Sequence, residues 1–298
     1  MRTLHILRSS RYEYNWRMRL KADLTLLLVS VFWGSAFFFQ RVVGEQGGVY
    51  YFNGMRFLLG AILLLPLIWG QWAISREQWL WMGIAGVILF SAAALQQAGI
   101  QYTTAGNAGF ITSLSVVIVP FVLLLGWRER PRWMALVAVV MAGAGAYLLS
   151  TSGSFEVRKG DALELVGALF WSLHFVVLGK FAVRFPAIQF AAGQFLVAGL
   201  LNFLAGLFLE QPFFNLAFAG AVVYTAIFSV GIGYTLQVWA QRYTPPSSAT
   251  IILSLEAVFA VLTGWLFLSE RWNLVQITGC AFMLGGVLLT QYPERNTG

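Results

Sequence analysis

Residues 246–271, PSSATIILSLEAVFAVLTGWLFLSER, decide the fold. Prolines and small hydroxyl residues open the stretch, and Ser269-Glu270-Arg271 closes it. Between them runs almost pure hydrocarbon, long enough for the roughly 20 apolar residues that a helix needs to cross a bilayer core. One charge, Glu256, sits in the middle. A glutamate at that depth costs roughly 2.5 kcal/mol or more on insertion scales, which makes it a candidate functional residue. The stretch also has a twin. Residues 105–130 align with it without a gap at an offset of 141: Ala108 with Ala249, Ile111 with Ile252, Ser113-Leu114 with Ser254-Leu255, Glu129-Arg130 with Glu270-Arg271. Opposite Glu256 the twin carries Ser115.

Composition places the whole chain in the same class. Of 298 residues, 59% are hydrophobic and only 10% charged. A soluble protein has about a quarter charged residues, so too few are present here to cover a water-facing surface. A polytopic, all-α integral membrane protein follows. The net charge of +7 does not point to nucleic acid, because six of the 19 Lys and Arg lie in the first 21 residues. A basic segment before a first span is an orientation signal that also touches anionic lipid. The first span is too long for a signal-peptide core and is expected to be retained. Cys280 is the single cysteine, so no intrachain disulfide is possible.

Ten apolar segments emerge: 24–43, 50–69, 79–99, 105–127, 133–150, 163–181, 188–209, 216–240, 247–268 and 274–291. Glycine, proline and small polar residues punctuate the short links. Such links force neighbours to run antiparallel and leave no room for a soluble domain. With the N-terminus inside, the cytoplasmic side receives the six N-terminal charges, Arg76, Arg128, Arg130, Arg132, Lys180, Arg184, Arg242 and Arg295; the outer side receives only Arg41, Arg158, Lys159 and Arg271. That asymmetry puts both termini in the cytoplasm.

The duplication continues beyond the opening stretch. At an offset of 138, Asp23 matches Asp161, Phe32-Trp33 matches Phe170-Trp171, Phe37 matches Phe175 and Phe57-Leu58 matches Phe195-Leu196. At 141, Leu95-Gln96 matches Leu236-Gln237 and Gly145 matches Gly286. The expected organisation is a basic tail (1–21), a first five-span repeat (22–150), an outer linker (151–160), a second five-span repeat (161–291) and a short cytoplasmic tail (292–298). Five is odd, so the second repeat enters from the opposite side: an inverted-topology pair of the kind secondary transporters use, with a site near the midplane.

Several residues stand out as candidates, each with a plainer alternative. Glu256 shares a helical face with Ala249, Ile252, Ala260, Thr263 and Gly264, and is read either as a substrate-cation or proton-carrying carboxyl or as a structural acid. Arg56 shares a face with Asn53 and Gly60, and either binds a carboxylate, pairs with Glu256, or snorkels to the outer interface. His174 is mid-span; histidine changes charge near neutrality, but in a helix interface it serves as a neutral hydrogen-bonding group. Asp23, Asp161 and Glu164 are expected at first turns, where the helix dipole favours acids. Trp33, Trp171, Gln96, Gln237, Thr112, Ser113, Ser115, Ser229, Tyr234 and Ser254 are cavity-lining candidates; interhelical hydrogen bonds, worth about 0.6 kcal/mol each, are the alternative. Pro120, Gly231 and Gly233 mark possible bends, and Ala142–Ala146 and Gly285-Gly286 packing seams.

No HExxH pair, GxSxG or glycine-rich phosphate loop is present, so neither an enzyme nor a cofactor or metal site is expected. An intramembrane enzyme around His174 ranks low for want of a serine context. Phe32-Trp33-Gly34, its second copy Phe170-Trp171-Ser172, the second-span arginine and the SLExVFA…GW…ER pattern at 254–271 resemble the EamA family of the drug/metabolite transporter superfamily. The resemblance spans residues 22–291. It departs at Ala257, where the family reads L-E-P, which argues against a proline-kinked ninth span. It implies an inner-membrane carrier of amino acids or other small amphipathic metabolites, working by alternating access as the two halves rock, in the export direction; an uptake permease or exchanger is the alternative. Metabolite, lipid and a coupling proton are the expected partners, and Glu256, Arg56, Trp33, Trp171, Gln96, Gln237 and His174 the expected substrate site.

Overall fold

In hydrocarbon every backbone polar group must be satisfied within the chain, and a helix does this segment by segment. The computed structural model describes residues 16–46, 48–70, 73–103, 105–131, 133–151, 159–268 and 273–290. Glu270-Arg271, Arg2, Arg8, Arg11, Arg132, Arg158, Arg295 and most of the 151–160 linker lie outside them, as does the Gly264 environment. The described chain is helical: α1 (Trp16–Gly44), α2 (Tyr50–Ile68, its last turn 3-10), α3 (Arg76–Gly99), α4 (Ala105–Ser113 and Ser115–Trp127), α5 (Trp133–Thr151), α6 (Asp161–Lys180), α7 (Ala187–Leu209), α8 (Leu216–Ala240), α9 (Pro246–Leu253 and Glu256–Leu268) and α10 (Leu274–Thr290). Eight described stretches are long and apolar enough to cross a membrane, and 133–148 and 274–289 are shorter apolar helices. These are the ten expected spans.

Three local features differ from the sequence expectation. First, α1 begins eight residues before the apolar run, at Trp16, so Asp23 lies well inside the helix and not at its first turn. It accepts from Arg19 Nε at 2.9 Å, one turn earlier. Second, α4 and α9 are both interrupted, at Leu114 and at Ser254-Leu255, the same place in the two repeats. Hydrogen bonds there shorten to 3-10 spacing: Leu114 N–H donates to Ile111 O at 3.1 Å, Leu255 N–H to Ile252 O at 3.2 Å and Ala257 N–H to Ser254 O at 3.1 Å. Neither interruption has a proline; Pro120 sits inside the second segment of α4. Third, Thr225–Tyr234 in the middle of α8 is a π-helix. It contains Gly231 and Gly233, so the glycines mark a widened coil and not a simple bend.

The outer surface fits a lipid solvent. Leu125, Val140, Phe208, Leu216 and Leu274 are exposed. Trp16, Trp69, Trp79, Trp127 and Trp133 are also exposed and sit at helix ends on one side of the bundle, as interfacial tryptophans do. That side also carries ion pairs between Lys180 and Glu129 and, at 2.8 Å, between Arg184 and Glu77. Here it is termed the Asp23 end, and the opposite one the Asp161 end.

Most packing runs between the repeats, and it runs in matched pairs. α1 packs on α8 and α9, and α6 on their mates α3 and α4; α2 packs on α8, and α7 on α3. α2 pairs with its own mate α7, and α5 with α10. The matching reaches single atoms. Thr103 Oγ1 donates to Asp161 Oδ1 at 2.6 Å, and the mate Thr244 Oγ1 donates to Asp23 Oδ1, also at 2.6 Å. A Cβ on Gly145 would meet the Gly279 carbonyl and one on Gly286 the Ala138 carbonyl, again mates. The small-residue runs of α5 and α10 are therefore a close-packed seam. Asp161 and Glu164 do stand in the first turn of α6, as expected, and Asp23 does not stand in the first turn of α1; both aspartates also bind across helices, one latch at each end of the bundle.

Candidate functional site

A small cavity lies where the interrupted helices meet α1 and α6. One face of α1 lines it with Trp33, Phe37 and Gln40, successive turns of the same stripe. α6 supplies Trp171 and Phe175, the mates of Trp33 and Phe37. Arg56 enters from α2, Gln96 from α3, Thr112 from α4, Ser229 and Tyr234 from α8, and Glu256 from α9. By helical rise of about 1.5 Å per residue, Gln40, Arg56, Gln96 and Thr112 lie closer to the Asp161 end than to the other.

The walls are aromatic and fixed. The Tyr234 ring lies 4.7 Å from Trp33 and 6.0 Å from Trp171, nearly parallel to the latter. Trp33 Nε1 donates to the Ser229 carbonyl at 3.2 Å, a carbonyl within the π-helical stretch. The widened coil of α8 thus both orients one tryptophan and presents Tyr234. Gln96 Nε2 donates to Thr112 Oγ1 at 2.9 Å, tying α3 to α4.

One basic and one acidic side chain face this space. The Arg56 guanidinium lies 5.0 Å from each of the Phe52 and Phe57 rings and is 2% exposed. Cation–π contact holds it there. Its Nε is buried without a hydrogen-bond partner, and among the described residues it has no ion pair. Snorkelling to the interface is therefore overturned. Glu256 is the first residue after the α9 interruption, at the N-terminal, positive end of a half-helix. It is 7% exposed and, among the described residues, forms no ion pair with Arg56 or any other cation. Gly34 makes this position possible: a Cβ there would stand 2.6 Å from the Glu256 carbonyl oxygen and 2.5 Å from Phe259 Cβ.

Of the seven expected residues, Glu256, Arg56, Trp33, Trp171 and Gln96 come together around the cavity. His174 and Gln237 do not line it. His174 is fully buried behind Trp171, with Nε2 2.9 Å from Gln194 Oε1, and Gln237 is fully buried one turn beyond Tyr234. Their separation follows from the mating of the repeats: Gln237 is the mate of Gln96 and lies toward the other end. Phe37, Gln40 and Phe175 are additional lining residues. A continuous α1 face through Trp33, and the Phe37–Phe175 match, were the available signals.

Against known proteins, the model of the EamA-like transporter family matches twice, over residues 20–151 and 158–292. The chain belongs to the EamA-like transporter family. It is a multi-pass membrane protein of transporter type. An uncharacterized transporter of Archaeoglobus fulgidus is 32% identical over 91% of this chain and 86% of its own length. The uncharacterized transporter YetK of Bacillus subtilis is 24% identical over 92% and 88%. A WAT1-related chloroplastic protein of Arabidopsis thaliana is 23% identical over 89% and 68%. A crystal structure 19% identical in sequence superposes with a TM-score of 0.75, covering 90% of this chain and 97% of that one, so the fold is shared. This EamA-like chain interrupts α9 beside Ala257, so the break does not depend on the family's proline.

Proposed function

We propose that the chain is a secondary transporter of small zwitterionic or amphipathic metabolites, with amino acids as the model class, acting by alternating access and exporting across the inner membrane with both termini cytoplasmic. The observation that carries this reading is the pair Arg56 and Glu256: a basic and an acidic side chain on one aromatic-walled cavity, neither paired with the other. Arg56 would take the carboxylate, Glu256 the ammonium, and Trp33, Trp171 and Tyr234 the side chain. Glu256 takes up a proton as the ammonium leaves, which couples export to the proton gradient.

The two repeats insert in opposite senses. The interlocked packing argues against the sequence halves rocking as whole bodies. Alternating access would instead move α1 with α8 and α9 against α6 with α3 and α4, the groups that pack together. The test is flux in reconstituted vesicles over a panel of amino acids and related solutes, with and without a pH gradient. Saturable flux with counter-exchange is expected. Arg56→Gln should reduce it more than tenfold for zwitterions, and Glu256→Gln should remove the response to the gradient while protein level is unchanged. Wild-type behaviour of Glu256→Gln at every pH would end the proton role; no flux over the panel would end the transport reading.

A further inference from the structure

The cavity has an incomplete mirror image. Trp33 and Phe37 have their mates Trp171 and Phe175 in the same cavity, but the mates of Arg56 and Gln96 are elsewhere: they are Gln194 on α7 and Gln237 on α8. Both are fully buried. On these two residues and on Trp171 and His174, five polar atoms lack a hydrogen-bond partner: Gln194 Nε2, Gln237 Nε2 and Oε1, Trp171 Nε1 and His174 Nδ1. His174 stands where the first repeat has Ala36. His174 Nε2–H donates to Gln194 Oε1 at 2.9 Å, which leaves the Gln194 amide N–H groups free. The Tyr234 ring contacts Trp171 at 6.0 Å and, edge-on, His174 at 6.1 Å, so Tyr234 and Trp171 form a wall between the cavity and this cluster.

A buried donor or acceptor left unpaired loses its hydration without return. Five of them, on four residues of α6, α7 and α8, are not accounted for by the conformation in which they are shut. We infer that Trp171, His174, Gln194 and Gln237 form a second polar binding site, the mate of the open cavity, which admits water and substrate when the bundle opens toward the Asp23 end. The inference rests on the transport reading. The ligand chemistry differs from that of the open cavity. Arg56 is replaced by neutral donors, the Gln194 and Gln237 amides and the Trp171 indole N–H, with His174 Nδ1 and Gln237 Oε1 as acceptors. The site therefore takes a small solute with a carboxylate or carbonyl next to a donor, and holds the carboxylate without a fixed cation. A solute bound strongly at Arg56 meets a weaker receptor on the far side of Tyr234.

The test is side-specific labelling. In a Cys280→Ala background, Gln96→Cys and Gln194→Cys are each exposed to a small membrane-impermeant thiol reagent added to one face or the other of sealed vesicles. Gln96→Cys is expected to react from the Asp161 face and Gln194→Cys from the Asp23 face, and a transported amino acid should change the two rates in opposite directions. The full chain with only His5→Gln gives a measurement that leaves the site intact: His174 should be modified by a small carbethoxylating reagent, faster when the Asp23 face is open. If flux is present but Gln194→Cys and His174 stay unreactive from both faces, the second site is refuted. If Gln96→Cys reacts, no solute alters it and no flux appears, it is the transport reading that fails.

Discussion

The contact of α1 with α8 and α9 and the contact of α6 with α3 and α4 are built to one plan, and they differ at three points. Where α1 meets α9, Gly34 lets the backbone at Glu256 come close; where α6 meets α4, the mate of Gly34 is Ser172 and the mate of Glu256 is Ser115. At the Asp161 end a second acid, Glu164, lies one turn on, 1% exposed and with both carboxyl oxygens lacking a hydrogen-bond partner; its mate at the other end is Leu26. The shared features hold the bundle together, and the charges are what distinguish the two ends. A duplicated scaffold can keep its packing while its chemistry diverges, because helix packing needs matched shapes and a transport cycle needs unmatched sites.

The largest effect should come from exchanging the glycine and serine. Gly34→Ser puts a Cβ against a backbone carbonyl that cannot turn aside. Overpacking of this kind costs about 1–3 kcal/mol. It also displaces the start of the half-helix that bears Glu256, so flux should fall more than tenfold. Ser172→Gly loses one bond, from Ser172 Oγ to the Ala168 carbonyl at 2.7 Å, and about 0.5 kcal/mol of helix propensity, and should keep its flux. Thermal unfolding in detergent and vesicle flux on the two variants make the comparison. Equal losses would mean that the α1–α9 approach has no special role.

Much of this asymmetry was legible in the sequence, because both chemical oddities are single letters at a fixed offset: Glu256 against Ser115, Arg56 against Gln194. Trp33, Trp171 and Gln96 could be read for the same reason. What the sequence hid is backbone geometry. The interruption before Glu256 has no glycine or proline to announce it, since a 3-10 turn needs only a hydrogen bond shortened by one residue. That break shifts the α9 face, so a continuous-helix projection misplaces its neighbours. The start of α1 was missed because hydropathy measures transfer to lipid, and Arg17, Arg19 and Lys21 continue a helix that lipid does not bury. His174 and Gln237 were polar in the right spans, but a helical projection does not tell which of two mated positions faces the cavity: Gln96 lines it and its mate Gln237 does not.

Glu164→Leu should have the next effect, with opposite sign. Leu26 already occupies the mated place, fully buried. Replacing a buried carboxyl whose oxygens have no partner with a hydrocarbon should stabilise the fold by about 1–3 kcal/mol. A rise in unfolding temperature is the expected reading, and a fall would assign Glu164 a partner and dismiss the contrast between the two ends.

The latches come third. Thr103→Val and Thr244→Val each delete one hydroxyl donor to an aspartate and leave the helix shape alone. A bond to a charged acceptor contributes about 1.5–3 kcal/mol, and a remaining partner recovers part of that, so about 1 kcal/mol should appear as a roughly fivefold change in access. Thr103→Val should make Gln96→Cys more reactive from the Asp161 face, and Thr244→Val less. Movement in the same direction would show that the hydrogen bonds are simple glue and not opposed gates.

The smallest effect is expected at the rim. Arg184 and Glu77 are paired at 2.8 Å, as close as Arg19 and Asp23 at 2.9 Å, but their side chains are 40% and 54% exposed against 25% and 6%. Exposed pairs contribute about 0–1 kcal/mol because water competes for both partners and ordering two long side chains costs entropy. Glu77→Gln should therefore shift unfolding by less than about 0.5 kcal/mol and leave flux unchanged, even though the geometry lost is as good as at the buried latch. Burial, not distance, sets this ordering. A loss at Glu77→Gln matching that of Thr244→Val would mean that the rim holds the Asp23 end shut and that the buried aspartate does not.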